Sequence, residues 1–438
     1  MKRSKTKLTN AVWSMAIFCS LIHITGCKKG IVDSPVDVYY EQIAGSKNHG
    51  PNGTWWGYNQ SKIVRFENTV FMCVVDNQNI DNNPNPNATN PSKLVLYKKE
   101  GNNSWQQGAM LNTSRPGNIL IDSEGIVHLI VFEPTYTLST ENGSYGKLIH
   151  YWFPNSNTGD ITNFQQEIIV DNDGVSQGET VNIRVGASIG KDDMLAVSFG
   201  LNQQHHFYFK EKNGIKWLME IAGHSLNSDY YYPYVLASES GVSIFAIQDE
   251  WVGTNQPNLY QESYYFEKKN EVWTQESIIN LQSHSLAASR PQLVENSDIY
   301  EDENNHLHLL YQTKLNPSDE WLNTFFQATK STNGWITEEV LISDEKTSWM
   351  RMIEVDGNFY YLCCSWDELY IKKGIHGEFS KLDVPKVNGL YIYLNSPRGG
   401  TSTSVEYIDL LMLNGNSNDY PNAKSYYVRI AKAELAKL

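Results

Sequence analysis

The sequence lacks the features of several large protein classes. No stretch of its 438 residues spaces apolar side chains at a sustained helical interval, which argues against a helical bundle or a helical repeat. Basic residues are few: 35 Lys and Arg stand against 49 Asp and Glu, which gives a formal net charge of −14. Nucleic acids and anionic membranes require a basic surface, so neither is expected as a direct partner.

Cysteine is scarce, with five residues in the whole chain. Cys363 and Cys364 are adjacent in an apolar, strand-like run, and neighbouring side chains of a strand point to opposite faces. Cysteines at this spacing form neither a disulfide framework nor a zinc site. We therefore expect buried free thiols, no protein metal site and no required cofactor, while a structural cation on a central axis is left open.

The N-terminal apolar run, Ala11 to Ile22, is too short to cross a membrane. It follows four basic residues and precedes Gly26 and Cys27, which is the pattern of a bacterial lipoprotein signal. We predict a signal peptide over residues 1–26, lipidation of Cys27 and a tether over residues 27–35. The protein would be lipid-anchored in the bacterial envelope, periplasmic or at the cell surface. An ordinary secretory peptide with a chance cysteine is the alternative.

What the chain does have is a repeat. An aromatic residue follows a polar, Gly- or Asn-rich turn six times, at Trp105, Phe164, Trp217, Trp273, Trp335 and Phe379. Most of these positions are preceded by a polar turn, an apolar strand, a loop and a second strand rich in Tyr and Phe. A period of about 50 residues with roughly four short strands is typical of a β-propeller blade.

We predict an all-β chain that folds as a seven-bladed β-propeller of four-stranded antiparallel blades, with residues 36–438 as a single domain. A ring has to cover its terminal edges, because open strand edges invite aggregation. The strand-like segment Val36 to Ile43 is expected to pair with the C-terminal strand near Ser425 to Ile430 and to complete the last blade. We expect this closed ring to be a monomer.

Arginines recur where the innermost strands are expected to begin: Arg115, Arg184, Arg290, Arg351 and Arg398. Propeller ligands usually bind at that end of the ring, so these guanidinium groups are expected at one mouth as substrate-binding residues. A guanidinium fork matches a carboxylate or sulfate, which indicates an acidic oligo- or polysaccharide as the partner. The alternative is that each arginine pairs with an acid of its own blade as scaffolding.

Histidines and aromatic residues supply the other site candidates. His49 lies in an irregular Gly-rich segment just ahead of Trp55, where a loop side chain is free to reach a ligand. His128 and His150 fall on expected neighbouring strands of the second blade. His128 shares its repeat position with a histidine of the fifth blade, which favours a scaffold role. Two aromatic residues are candidates for substrate binding: Trp55, and Tyr232 at the start of the fourth blade.

Two segments carry a family resemblance. Lys212-Asn-Gly-Ile-Lys-Trp and Ser331-Thr-Asn-Gly-Trp resemble the aspartate-box turns of sialidase-like (BNR-repeat) propellers, although both lack the Ser-x-Asp-x-Gly core. With the lipoprotein signal and the Trp55-Trp56-Gly-Tyr-Asn-Gln lead, the chain is similar to polysaccharide-lyase propellers over most of its mature length. These include ulvan lyases and the enzymes that release L-rhamnose from rhamnosyl-glucuronate.

The resemblance implies competing catalytic assignments. In the rhamnose–glucuronate enzymes a catalytic histidine lies just ahead of the first blade, which implies His49. In the ulvan lyases two catalytic histidines share an early blade, which implies His128 and His150. Either way, β-elimination at a uronate requires a neutralised carboxylate, a base for the C5 proton and an acid for the leaving oxygen.

The expected function is cleavage of an L-rhamnose–uronic acid linkage of a plant or algal polysaccharide by such a lyase. A rhamnosidase-like hydrolase on the same scaffold and a noncatalytic glycan-binding propeller of an uptake system are the alternatives. Convergence of His and Arg side chains at one mouth would separate an enzyme from a binding protein.

Overall fold

A computed structural model gives the arrangement of most of the chain. It describes residues 32–33, 35–43, 57–76, 93–113, 115–135, 145–171, 185–201, 204–224, 229–239, 241–250, 259–281, 292–315, 322–344, 347, 349–365, 368–386, 390–402, 406–414 and 425–438. These residues form seven sheets, six with four strands and one with five. The predicted seven-bladed all-β propeller is confirmed.

Each of the first four blades follows the chain from its innermost to its outermost strand. The first is β3 (Ile63–Phe66), β4 (Thr69–Asp76), β5 (Lys93–Glu100) and β6 (Gln106–Leu111); the second is β7 (Gly117–Ile121), β8 (Val127–Thr135), β9 (Tyr145–Phe153) and β10 (Gln165–Asp171); the third is β11 (Gly186–Ile189), β12 (Leu195–Leu201), β13 (Gln204–Lys210) and β14 (Leu218–His224); the fourth is β15 (Asp229–Ser238), β16 (Gly241–Glu250), β17 (Leu259–Lys269) and β18 (Val272–Asn280).

The remaining blades repeat this order, and the last two also use the N-terminal strands. The fifth is β19 (Gln292–Glu301), β20 (Leu307–Leu315), β21 (Leu322–Ser331) and β22 (Gly334–Asp344); the sixth is β23 (Arg351–Val355), β24 (Asn358–Ser365), β25 (Glu368–Lys373), β26 (Ser380–Lys381) and β1 (Val32–Asp33); the seventh is β27 (Leu390–Leu394), β28 (Tyr407–Asn414), β29 (Ser425–Ala431) and β2 (Val38–Gln42), followed by the short helix α1 (Lys432–Leu435).

Burial explains which strands lie inside. Every residue of β7, β11 and β23 is buried, because an innermost strand is covered on both faces by neighbouring blades. The outermost strand β10 instead contains only exposed and half-buried residues. The apolar core therefore lies between the blades, as expected for sheets packed face to face in a ring.

The N-terminal strands join the last two blades. β2 pairs antiparallel with β29, with Val38 opposite Ile430, so the predicted closure of the ring is confirmed. β1 pairs parallel with β26, with Val32 opposite Ser380. The expectation that residues 27–35 are only a tether is thus wrong at Val32 and Asp33, which form backbone hydrogen bonds with the sixth blade.

The two ends of the ring differ in their connections. At one end, the turn face, short turns join the first two strands of each of the first six blades; Glu67 and Asp356 in such turns have φ values of 48° and 50°. At the other end, the loop face, some connections are longer: 16 residues lie between β4 and β5 and 11 between β18 and β19. Long connections on a rigid scaffold are where binding residues concentrate.

The central channel is filled from both ends. From the loop face, Asn59 reaches across the ring and donates hydrogen bonds to the carbonyl oxygens of Val185 and Pro233. From the turn face, a 3₁₀ turn at Pro397–Gly399 enters the channel, where Ser188 Oγ donates to the Arg398 carbonyl oxygen. We call residues 57–62 the upper plug and residues 395–401 the lower plug.

The aromatic residue that marks the repeat joins neighbouring blades. Trp217, Trp273 and Trp335 each donate an indole N–H to a glutamate of the preceding blade, at 3.0, 2.8 and 2.8 Å. The acceptors are Glu167, Glu220 and Glu276. A lysine of the Trp-bearing blade pairs with the same glutamate: Lys210, Lys268 and Lys330. The period seen in the sequence is therefore the period of this contact between blades.

The expectations drawn from composition agree with the described residues. Cys73, Cys363 and Cys364 are buried thiols that form no disulfide within the described residues. No helix in the described ranges is long and apolar enough to cross a membrane. The signal segment and Cys27 lie outside the described residues, so their processing and lipidation remain predictions.

Candidate functional site

Of the five arginine candidates, Arg115, Arg351 and Arg398 lie within the described residues. Arg115 lies just before β7 on the loop-face side and is buried. Arg351 is also buried, and it donates to the Tyr58 carbonyl oxygen at 2.6 Å, the Ile392 carbonyl oxygen at 3.1 Å and the Tyr234 hydroxyl at 3.1 Å. Its guanidinium holds the upper plug, so the expectation that it presents a fork to a substrate is wrong. Arg184 and Arg290 lie outside the described residues.

Arg398 was expected at the start of an innermost strand, and this placement is wrong. The residue follows β27 and lies in the lower plug, at the turn-face end of the channel. Its Nη1 donates to the Asn59 carbonyl oxygen at 2.6 Å, which joins the two plugs. Pro397–Gly399 forms a 3₁₀ turn, so the place of Arg398 in the repeat did not mean a shared position in the blade.

His128 and His150 do come together. His128 Nδ1 lies 2.9 Å from His150 Nε2, and the rings stack at 5.2 Å. The pair sits towards the turn face, since His128 is level with Leu120 near the end of β7. Arg115 precedes the other end of β7, about five residues of extended chain or roughly 16 Å away. The pair and Arg115 therefore do not form one site.

Equivalent contacts in neighbouring blades show what His150 does. His150 faces Glu167 in the strand register, and its ring meets Trp217 edge-on at 5.6 Å. In the third blade Phe207 faces Glu220 and meets Trp273 edge-on at 5.1 Å. In the fourth, Tyr265 faces Glu276 and meets Trp335 edge-on at 5.0 Å. His150 thus occupies a packing position that other blades fill with Phe or Tyr.

His128 has its counterpart in His308. His128 Nε2 lies 3.5 Å from Asp122 Oδ2, and His308 Nε2 lies 3.1 Å from Asp302 Oδ2. In both blades the other oxygen of the aspartate accepts two backbone N–H groups of the turn. The histidine therefore braces a turn, as the shared repeat position predicted.

Burial controls the charge of the histidine pair. Loss of solvation lowers the pKa of His150 to about 4, although a hydrogen bond to Glu167 opposes this. Burial also disfavours ionisation of Glu167, but hydrogen bonds from His150 and Lys210 outweigh it and lower the pKa of Glu167 to about 2. At neutral pH the His150 ring is uncharged beside an ionised Glu167. A base that binds its proton only near pH 4 is poorly matched to proton abstraction at neutral pH.

Tyr232 belongs to a row of aromatic rings on the loop-face side. Its ring stacks on Tyr58 at 4.7 Å, and Tyr58 stacks on Trp349 at 4.1 Å. Trp349 in turn meets Tyr391 at 5.2 Å. We call these four residues the aromatic stack. Tyr232 holds a φ of 49°, which a non-Gly residue rarely adopts and which is common near functional sites.

Polar groups lie beside the aromatic stack. Lys314 Nζ lies 5.8 Å from the centre of the Trp349 ring and 2.8 Å from Glu295. Gln312 donates to the same glutamate at 2.6 Å. Trp349 is half-buried, and its indole N–H has no hydrogen-bond partner among the described residues. Together these groups offer an aromatic surface, a cation and hydrogen-bonding groups at the loop face.

Three of these stack residues were not among the sequence candidates. Tyr58, Trp349 and Tyr391 come from three segments that are far apart in the chain. The sequence signal that could have indicated Trp349 is its position two residues before Arg351, at the start of a blade. Trp55 and His49 lie outside the described residues, so their relation to the stack is untested.

The turn face carries a different cavity. It measures about 1080 Å³ and is lined by residues of all seven blades. Its charged side chains are mainly acidic, including Glu67, Asp122, Asp302, Asp356 and Glu406. An acidic glycan would be repelled here, so the loop face is the better candidate. Within the described ranges, no group of three or more His, Cys, Asp or Glu side chains is placed to hold a metal ion.

Comparisons place the fold among known propellers. The chain is similar to the polysaccharide lyase Uly1, with a TM-score of 0.55 and 11% identity over 89% of this chain and 94% of that one. It is also similar to the α-L-arabinofuranosidase Arb93A of Fusarium graminearum (TM-score 0.44, 8% identity, 93% and 98% covered). A Trypanosoma rangeli sialidase matches with a TM-score of 0.46 and 12% identity over 91% of this chain and 60% of that one.

These comparisons bear on fold alone. No protein-family model and no curated protein matches the chain. The expected likeness to polysaccharide-lyase propellers is confirmed for the fold by the similarity to Uly1. Identity of 11% carries no residue of that enzyme's site over to this chain.

Proposed function

We propose that this protein is a carbohydrate-active propeller that binds an acidic oligo- or polysaccharide at its loop face and cleaves it. The observation that carries the proposal is the aromatic stack with Lys314, Glu295 and Gln312 beside it. Aromatic rings bind the apolar face of a sugar, while polar groups at the edge bind its hydroxyl and carboxylate groups. The fold it shares with a polysaccharide lyase supports the same conclusion.

The reaction we propose is β-elimination at a uronic acid linked to L-rhamnose. Lys314 contributes positive charge near the substrate carboxylate, and His49 is the proposed base for the C5 proton. The protein acts as a monomer held in the bacterial envelope by a lipid on Cys27. The assignments of His49 and Cys27 follow the sequence pattern and its family resemblance, and that of Lys314 rests on its position beside Trp349.

The test is a screen of uronate-containing oligosaccharides with the mature protein, rhamnosyl-glucuronate among them. A lyase releases a sugar together with an unsaturated uronate, which absorbs as a conjugated enoate. Release of rhamnose without that absorbance would indicate a hydrolase instead. His49→Ala should lower kcat by roughly 10² to 10⁴-fold, the usual contribution of a general base. Full activity of this variant would exclude His49.

A noncatalytic glycan-binding protein is the second candidate. It is favoured by the separation of Arg115 from the His128–His150 pair, since the described His and Arg side chains do not meet at one mouth. Binding of an acidic oligosaccharide without any product over a long incubation would support this function.

A further inference from the structure

A small cavity remains between the two plugs of the central channel. It has a volume of about 10 Å³, enough for one particle about the size of a water molecule. Gln60 of the upper plug and Arg398 of the lower plug both line it, together with Asp298, Arg351 and Tyr393. The cavity is separate from the loop-face site.

The cavity carries an excess of positive charge. Its charged lining residues are two arginines and one aspartate, all buried. Within the described residues, the two guanidinium groups donate to uncharged acceptors: the carbonyl oxygens of Tyr58, Asn59, Ser297 and Ile392 and the hydroxyl of Tyr234. Two positive charges against at most one negative charge leave a surplus of at least one positive charge. An unbalanced charge away from water is strongly unfavourable.

The hydrogen bonds of the Asp298 carboxylate go to backbone N–H groups and not to either guanidinium group. Its two oxygens accept the backbone N–H groups of Ile299 and Met352, at 3.0 and 3.1 Å. Arg398 Nε is buried and has no hydrogen-bond partner within the described part of the chain. The amide oxygen of Gln60 is likewise buried without a partner there, while its amide nitrogen donates to the Pro116 carbonyl oxygen at 3.5 Å.

We propose that the cavity binds a monovalent anion of chloride size, which joins the upper plug to the lower plug. Such an anion balances the surplus charge and accepts the hydrogen bond that Arg398 Nε would otherwise lack. A cation on the central axis, left open by the sequence, is disfavoured because the two arginines would repel it. The site is independent of the proposed glycan chemistry.

Thermal unfolding in sodium chloride and in sodium gluconate at equal ionic strength tests the proposal, because gluconate is too large for the cavity. We expect Tm to be higher in chloride by roughly 2 °C or more, since a ligand bound only to the folded state stabilises it. Arg398→Met should abolish the difference. Arg429→Met, which removes an arginine stacked on the surface rings of Tyr39 and Tyr407, should retain it.

Crystals of the unaltered protein grown in bromide provide a second measurement if Arg398→Met fails to fold. An anomalous peak between Arg398 and Gln60 is the expected result. Equal Tm values in both salts together with no bromide peak would mean that the cavity holds water, and would overturn the proposal. Neither outcome depends on whether the protein cleaves a glycan.

Discussion

At the scale of residues, one position in the third strand of the blades is filled by different aromatic rings. His150, Phe207 and Tyr265 each face a glutamate and pack edge-on against a tryptophan of the next blade. The two ring nitrogens of His150 also form hydrogen bonds, with Glu167 and with His128. A histidine pair that resembles a catalytic pair in sequence is therefore accounted for by packing.

His150→Phe tests this interpretation. Because the folded pKa of about 4 lies below the usual 6.5, the unfolded chain binds a proton first as pH falls, and stability is lost between these values. The full shift corresponds to about 3 kcal/mol. We expect the variant to fold, to keep activity and to lose less stability between pH 6.5 and pH 4, as measured by denaturation at several pH values.

His308→Phe is the comparison, since His308 is a histidine of another blade whose pKa is also lowered by burial. It should leave the contribution of His150 to the pH dependence unchanged. A folded His150→Phe protein with at least a hundredfold loss of kcat would contradict the scaffold role.

Replacement of Trp349 should change the affinity for a glycan, whereas replacement of a tryptophan between blades should change the stability of the fold. Trp349→Ala removes the centre of the aromatic stack and should weaken binding of an acidic oligosaccharide by roughly tenfold, in line with the worth of an aromatic contact. Isothermal titration calorimetry measures the change. Trp335→Ala should instead lower Tm and leave affinity unchanged, because Trp335 lies in the outermost strand of the fifth blade. Equal affinities of Trp349→Ala and the unaltered protein would remove the stack from the site.

At the scale of elements, outermost strands are joined to the preceding blade by the contact between tryptophan, lysine and glutamate. This contact occurs between the second and third, third and fourth, and fourth and fifth blades. In the first blade Trp105 holds the same repeat position and packs edge-on against Tyr427 at 5.3 Å. Its indole N–H is buried and has no partner among the described residues. We therefore expect the indole N–H of this tryptophan to contribute to stability in the third, fourth and fifth blades and not in the first.

Replacement of these tryptophans by phenylalanine should show the difference. Trp273→Phe loses the hydrogen bond to Glu220, a charged acceptor, and should cost roughly 1.5–3 kcal/mol. Trp105→Phe removes a donor that has no partner and should be close to neutral in a urea denaturation series. A larger loss for Trp105→Phe than for Trp273→Phe would show that ring volume, and not the hydrogen bond, determines the contribution.

At the scale of the whole molecule, stability depends on closing the ring between its two ends. β2 supplies the outermost strand of the seventh blade, and β1 extends the sixth, so the eleven residues 32–42 span the joint between these two blades. The C-terminal helix adds to the joint, since Glu434 accepts the Asp37 backbone N–H at 2.8 Å. Without these strands β29 and β26 would present open edges.

Two truncations test the closure. Removal of residues 1–42 should lower Tm markedly and promote aggregation, because both edges are uncovered. Removal of residues 1–31 leaves β1 and β2 intact and should preserve Tm. Calorimetry combined with light scattering measures both effects. An unchanged Tm after the longer deletion would show that β1 and β2 do not contribute to the stability of the ring.

The sequence by itself determined the fold of this protein. Blade number, the pairing of Val36 to Ile43 with the last strand and the buried free cysteines could be predicted, because a repeat and alternating apolar strands are local patterns that every blade shows again. The scaffold role of His128 could also be predicted, since His308 repeats it.

Only the tertiary structure decided which side chains meet. Arg351 and Arg398 bind carbonyl oxygens of the upper plug instead of a glycan, and Tyr58, Trp349 and Tyr391 form one stack although they lie in separate segments. The physical reason is that a propeller brings the starts of distant strands to one axis. There the backbone carbonyl oxygens of the upper plug, a segment outside the repeat, accept the hydrogen bonds of the arginines. A periodic pattern predicts the lattice of blades but contains no information about the irregular chain that fills its centre.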